Sequence, residues 1–320
     1  MGFSIKNAVK ERMSPAMLSK VRVLKQEATC RKNRDMPAGE LVEALGEWFL
    51  SETGEVLDLH SPKTFNQKTQ WLKVNDSTKI KGQLADKYLV RQYIEKEIGA
   101  DYLVPLLGVY DSVDDIDFDE LPDRFVLKAT HGSGWNIVVS DKAGLSVSET
   151  KWKLKKWLDM DFAYLHGYEL HYNYCQPRII AEEYLDDLSS GSVDDYKVYC
   201  FNNGEPIVCV CRDRFSDAGI RTSYYDKNWE KLPIRDVGEQ TFKCERPPHL
   251  DEMIRMSELL ARDFAFVRVD WYESTHGLLF GEMTFTSSSG TENFDPPEWN
   301  IELGKRIDLS RVGGRHGVEQ

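Results

Sequence analysis

The chain has no apolar run approaching the roughly eighteen residues that a membrane-crossing helix needs. Cysteine is sparse: six residues and no CxxC pair, which speaks against a disulfide framework or a zinc ribbon. Cys209 and Cys211 alternate on a strand-like stretch and are expected on one face, reduced and packed. Positive charge is in deficit. Forty-one Lys and Arg against 53 Asp and Glu give a net charge of -12, which excludes wholesale nucleic-acid binding. The first residues lack the apolar core of a signal peptide. MGFSIK opens like a myristoylation site but carries Lys6 where Ser or Thr is required. A cytoplasmic protein is expected. Internal repeats and low-complexity tracts are absent, and so is any Ser-His-Asp or Cys-His nucleophile signature.

What is present suits a globular protein of two or three lobes: 320 residues, 41% hydrophobic and 11% aromatic. Charge is unevenly spread. The first 35 residues hold nine Lys or Arg and three acids, so this stretch is +6 and the remainder -18. Within it, KNAVKERMSPAMLSKVRVLKQ shows helical spacing around Val9, Met13, Met17, Leu18 and Val21. Either a solvated docking helix or a segment touching an anionic surface fits this pattern.

Helices are expected up to about residue 110. Thr64 and Gln67 form a capping box, and ADKYLVRQYIEKEIG places Tyr88, Val90, Tyr93, Ile94 and Ile98 around one face before Gly99. The acidic stretch DSVDDIDFDELPDR reads as a surface connector. FVLKAT, HGSGWN and IVVSD read as strand, glycine turn and strand; KWKLKKWLDMDFAYLHGYE as a helix; RIIAEEYLDD as a strand. DYKVYCF and PIVCVCRDRF form a hairpin through NNGE, DEMIRMSELLARDFA a helix, and FVRVDWY with LLFGEMTF a second hairpin. The fold class is α+β, rich in hairpins.

In VLKATHGSGWN the lysine precedes the glycines and a strand follows them. A Walker A loop needs GxxxxGK and then a helix, and a protein kinase places its glycine loop before the lysine strand and carries HRD and DFG motifs; neither pattern is here. Lys128 with a Gly-Ser tip could close over phosphates as a lid, although a plain surface hairpin looks the same. If FVRVDWY and LLFGEMTF turn at His276, Asp270 falls opposite Glu282 and Arg268 opposite Thr284, all on one face. Opposed carboxylates repel, so a cation is expected between them. Mg²⁺ with substrate phosphates is one solution and Arg268 as a structural ion pair is the other.

VLKATHGSG, AEEYL, DYKVYCFNNG, RVDWY, GEMTF and FDPPEW follow one another as in the TupA-like ATP-grasp family, named from teichuronopeptide biosynthesis. The chain resembles that family over roughly residues 40 to 305. The resemblance implies an ATP-grasp fold: two α+β lobes enclosing ATP, with a helical N-terminal section. Residues 1–110 would be that section and the first lobe, 111–185 a lid subdomain with the glycine hairpin, and 186–320 a C-terminal lobe with the metal site. It implies ATP contacts from Lys87 and Lys128, and from the loop His131, Gly132, Ser133 and Gly134. The backbone of Glu183, Tyr184 and Leu185 would hold the adenine edge, and Glu182 or Glu183 its amino group or the ribose. Asp270 and Glu282 match Mg²⁺ carboxylates, with Thr284 where such enzymes commonly have Asn. Lys197 is a candidate phosphate contact or an exposed strand lysine. Arg212 and Arg214 are candidates for gripping an anionic substrate or are surface ion pairs. TSSSG, residues 286 to 290, would present hydroxyls to a bound acid or be a plain polar loop.

The implied activity is an ADP-forming carboxylate–amine ligase that works through an acyl phosphate in surface-polysaccharide biosynthesis. Arg268 and the lysines would neutralise charge, and a uronic or amino acid would react with an amine, with a lipid-linked glycan at the inner membrane face and no nucleic acid among the implied partners. A sugar kinase of the same fold, or a non-catalytic nucleotide- or glycan-binding module, are the alternatives.

Overall fold

The computed structural model describes residues 14–165, 167–185, 194–212, 220–238, 240–274 and 277–313. Among them are eight α-helices and three antiparallel sheets. Helix α1 spans Pro15–Arg34, with Ser14 accepting from the Met17 amide and Pro at its first turn. It is followed by α2 (Leu41–Thr53), α3 (Phe65–Asn75), α4 (Lys79–Ala85) and α5 (Val90–Glu97). The Thr64–Gln67 capping box at the start of α3 is formed in both directions. Helix α5 begins later than its periodicity suggests. Asp86 accepts from the Tyr88 and Leu89 amides, so Tyr88 lies in the preceding turn.

The first sheet has the order β1-β4-β2-β3, from β1 (Leu106–Tyr110), β2 (Phe125–Ala129), β3 (Asn136–Val139) and β4 (Ile179–Glu183). Phe125, Leu127 and Ala129 alternate into a core with Ile179 and Ala181 under helix α6 (Val147–Leu158). Val126, Lys128, Ile180 and Glu182 occupy the other face. Helix α6 starts before the expected KWKLKKW and stops at Leu158; residues Phe162–Tyr164 and Leu170–Tyr174 are short 3₁₀ turns.

The second sheet has the order β10-β9-β5-β6-β7, from β5 (Asp195–Phe201), β6 (Gly204–Arg212), β7 (Arg221–Asp226), β9 (Phe266–Ser274) and β10 (Gly277–Thr284). Val267, Val269 and Trp271 pack with helix α7 (Leu250–Ala261) on one side. Period two sends Arg268, Asp270 and Tyr272 to the other. Strands β8 (Arg235–Asp236) and β11 (Phe294–Asp295) pair separately, and helix α8 (Glu298–Lys305) closes the chain's packed part.

Cys209 and Cys211 do share a face, with sulfurs 3.9 Å apart, and all six cysteines are free. Among the described residues no helix is long and apolar enough to cross a membrane.

Helix α1 docks on the first sheet's core, but not by the expected face. Val9 and Met13 lie outside the described residues. Met17 and Leu18 are exposed, and Val23 and Cys30 are the buried contacts. Polar ties decide this orientation: Lys156 reaches Glu27, Arg34 reaches Asp161, and the Asn33 amide donates to the Tyr164 carbonyl.

Candidate active site

The polar faces of the two sheets supply one charged cluster. On β9 and β10, Asp270 pairs with Glu282 and Arg268 with Thr284. This register needs a bulge. From the hairpin end, Leu279 faces Tyr272 and Phe280 faces Trp271; Gly281 is then the extra residue that brings Glu282 opposite Asp270. A Cβ at Gly281 would come within 3.1 Å of the Asp270 carbonyl oxygen, so the bulge is tight as well as necessary.

Arg268 is nearly buried. It donates from Nε to Asp270 Oδ1 at 2.6 Å and from Nη2 to Oδ2 at 2.8 Å. Its remaining donors reach Thr284 Oγ1 at 3.2 Å and Ser287 Oγ at 2.9 Å, with Glu282 Oε1 at 3.4 Å. Lys197 is not an exposed strand lysine. It is buried, with Nζ 2.5 Å from Asp270 Oδ2 and 2.8 Å from Asp195 Oδ2. Burial alone would drive its proton off; attraction by Asp195 and Asp270 outweighs that and holds the ammonium well above the ordinary lysine range. Tyr272, between these groups, is pushed up to about 12 by burial and by Asp195.

From the first sheet, Lys128 Nζ lies 2.5 Å from Glu182 Oε2, a diagonal pair on neighbouring strands. Burial works against its charge, but Glu182 prevails and raises it above the ordinary lysine range. Arg91 on α5 holds the other Glu182 oxygen at 3.2 Å and the Val104 carbonyl at 2.9 Å. Lys87 joins the halves: Nζ donates to the Gly132 carbonyl at 2.5 Å and stands 3.6 Å from Glu282 Oε2.

Several expected site residues are placed otherwise. His131 is part of the first core: Nε2 meets the Trp157 carbonyl at 2.9 Å, and burial pushes the ring down to about 4. Gly132 is also buried, where a Cβ would strike Phe162 and Trp135, leaving Ser133 and Gly134 as the exposed tip. The Glu183 amide is taken by the Pro105 carbonyl and its side chain is exposed, while Glu182 is engaged by Lys128 and Arg91. Tyr184 and Leu185 follow the end of β4. Arg212 is already engaged. It forms a fork with Asp194, both contacts 2.6 Å, and lies over the Phe242 ring, so the ion-pair reading is the correct one. Arg214 lies outside the described residues. The 286–290 turn is folded inward. Ser287 donates to Glu292 at 2.6 Å, Thr286 and Ser289 donate to buried Glu169, and Lys73 donates to the Ser289 carbonyl.

Sequence reasoning missed Asp195, Arg91 and Gly281. Asp195 had a readable signal, standing two residues from Lys197 on a strand and therefore on its face.

The cluster sets Lys87, Lys128, Lys197 and Arg268 against Glu182, Asp195, Asp270 and Glu282. Its donor chemistry suits an anionic phosphate chain between the sheets. For Mg²⁺, Asp270, Glu282 and Thr284 offer hard oxygens. Glu282 is 28% exposed, and its cations stand at 3.4 and 3.6 Å, whereas Asp270 is gripped at 2.5–2.8 Å. Among the described residues no three His, Cys, Asp or Glu group as a metal site. Two carboxylates completed by substrate phosphates are the usual Mg²⁺ arrangement, and this donor set fits it.

Two facing α+β sheets, a lysine-bearing glycine hairpin and this acid pair define the ATP-grasp class. A profile of the family described as TupA-like ATPgrasp matches residues 67–308. The chain belongs to that family, whose fold is built to bind ATP. No curated protein matches its sequence. Among solved structures, a D-alanine–D-alanine ligase from Bacillus anthracis is 14% identical over 92% of this chain and 93% of that one, with a TM-score of 0.44. Its complex with ATP is 15% identical over 70% and 65%, TM-score 0.40. The corresponding ligase from Helicobacter pylori is 14% identical over 70% and 61%, TM-score 0.37, so this chain spans under two thirds of its length.

Proposed function

We propose that the chain is an ATP-dependent carboxylate–amine ligase. The carrying observation is the convergence of Lys87, Lys197 and Arg268 on the Asp270–Glu282 pair, with Lys128 held by Glu182 and close enough to feel the Glu282 charge. Residues 111–185 act as the lid and 186–320 as the lobe beneath it. A carboxylate oxygen of the acid attacks the γ-phosphorus of ATP, the bond to the β-phosphate oxygen breaks, and ADP leaves. The acyl phosphate is then attacked by the amine; the amide forms and phosphate departs with the electron pair of the cleaved C–O bond. Lys128 and the Ser133–Gly134 tip cover the phosphates, and Lys87 ties that tip to the acid pair. Lys197 and Arg268 counter charge on the transferring group. Glu282 and Asp270 would hold Mg²⁺, which when bound would further neutralise the phosphates. Closing the sheets keeps water from the acyl phosphate.

The family's link to teichuronopeptide supports a uronic or amino acid as the acid, an amino acid or amino sugar as the amine, and a place in surface-polysaccharide biosynthesis. The need for ATP and the six free cysteines support a cytoplasmic location. Hydroxylamine tests the chemistry. Incubated with ATP, Mg²⁺ and a panel of such acids, the protein is expected to give a hydroxamate with ADP and phosphate. ADP with a stable sugar phosphate ester would make it a kinase, and AMP with pyrophosphate would remove the mechanism.

A further inference from the structure

Helix α1 carries six Lys or Arg and a single acid, Glu27, in a chain of net charge -12. Its inner face is satisfied by Val23, Cys30 and the ties to the first sheet's core. On the opposite face Met17, Val21, Leu24 and Ala28 recur at spacings of four, three and four, which aligns them along one stripe; Met17, Leu24 and Ala28 are exposed and Val21 is half-buried. Met17 is 55% exposed and Leu24 50%. Exposed Arg22, Lys25 and Lys32 border the stripe on one side and Lys20 and Arg31 on the other. Glu27 is held by Lys156 at 2.9 Å and reaches Arg31 only at 4.0 Å, so it offsets one border cation and leaves the others. The border meets α6, where Lys20 pairs with Glu149 at 3.5 Å and Lys153 adds a further cation. Lys153 lies close enough to Arg22 that burial and that guanidinium together lower its ammonium below the ordinary lysine range.

We propose that the outward face of α1 is a docking surface for an anionic lipid bilayer. An exposed apolar stripe edged by cations is the chemistry of a helix lying in a headgroup layer: the apolar side chains enter the acyl boundary, and the long basic side chains reach the phosphates. A soluble anionic polymer would use the cations but leave Met17 and Leu24 in water. The overall negative charge makes the basic face directional, since the rest of the molecule is repelled by the same membrane. On the ligase reading, which this step extends, the lid subdomain would meet an acceptor that remains on its lipid.

The test needs no enzymatic activity, so its failure is separable from failure of the ligase reading. The full chain is floated with phosphatidylcholine vesicles containing about 30% phosphatidylglycerol, and with pure phosphatidylcholine vesicles. Binding is expected to the anionic vesicles alone, with release at about 0.5 M NaCl. Two double variants, Met17→Ser with Leu24→Ser and Arg22→Glu with Lys25→Glu, should each lower partitioning on the order of tenfold while keeping the wild-type circular dichroism spectrum. Three results would overturn the proposal: no vesicle binding by the wild type, equal binding to neutral vesicles, or undiminished binding by both variants. A concentration-dependent dimer abolished by the serine variant would also overturn it, making the face a contact between copies.

Discussion

Lys197→Met examines the charged cluster without any substrate. Lys197 is buried between Asp195 and Asp270, at 2.8 and 2.5 Å, and both carboxylates are themselves buried. Methionine keeps much of the length and apolar stem but removes the charge. Two carboxylates then share a site with only Arg268 opposing Asp270. Breaking a buried ion pair by removing one partner costs about 3–5 kcal/mol. With an unfolding entropy of roughly 2.1 cal/mol/K per residue, a 320-residue chain should lose about 4–7 °C in Tm. Adding Asp195→Asn removes the carboxylate that Lys197 no longer neutralises, and should restore on the order of 1–3 kcal/mol. Urea denaturation of the wild type, both single variants and the double variant measures this directly. A loss under about 1 kcal/mol for Lys197→Met, or strict additivity with Asp195→Asn, would refute the picture of a tight, desolvated cluster.

Other expectations follow from single contacts. Glu282→Gln should cut ADP release on the order of a hundredfold or more while weakening nucleotide binding less; wild-type turnover with Mg²⁺ would make the acid pair structural. Gly132→Ala puts a Cβ 2.7 Å from Phe162 and 2.9 Å from Trp135 and should destabilise by about 1–3 kcal/mol, whereas Gly134→Ala meets open space and carries only the strain of a φ of +70°, about 1–2 kcal/mol. Burial pushes His131 down to about 4 and His171 to about 3, so unfolded imidazoles near 6.5 bind protons first as pH falls. Stability from these rings is intact above pH 6.5 and declines toward pH 4, by up to roughly 3 kcal/mol each. His171→Phe, beside Tyr172 and Phe285, should move acid unfolding to lower pH, as followed by near-ultraviolet circular dichroism.

The parts that strand periodicity controls were readable in advance. Alternation places Arg268 with Asp270 on one face of β9 and Glu282 with Thr284 on one face of β10, and separates Lys128 from Leu127. The ordered motifs name the family because each is a short run along a strand or across its end. What could not be read depends on neighbours distant in sequence. The Asp270–Glu282 register holds only because Gly281 bulges, and the bulge shows itself only once the hairpin is paired from its Ser274–Gly277 end. Arg212 looks available until the fold brings Asp194 to it. His131 looks like part of a loop until Trp157 and Trp135 enclose it. The apolar spacing in α1 does not show that Val23 and Cys30, beside ion pairs to distant residues, form its docked face while Met17 and Leu18 stay exposed.

The most direct measurement is calorimetric titration of a non-hydrolysable ATP analogue, with Mg²⁺, into the wild type and into Lys128→Ala. Lys128 bridges the hairpin to Glu182 and is one of the four cations gathered between the sheets. If that cleft is the nucleotide site, the wild type binds and the variant, still folded, binds at least about tenfold more weakly. Equal affinity in the two proteins, or no binding by the wild type, would contradict the assignment of this cleft to ATP.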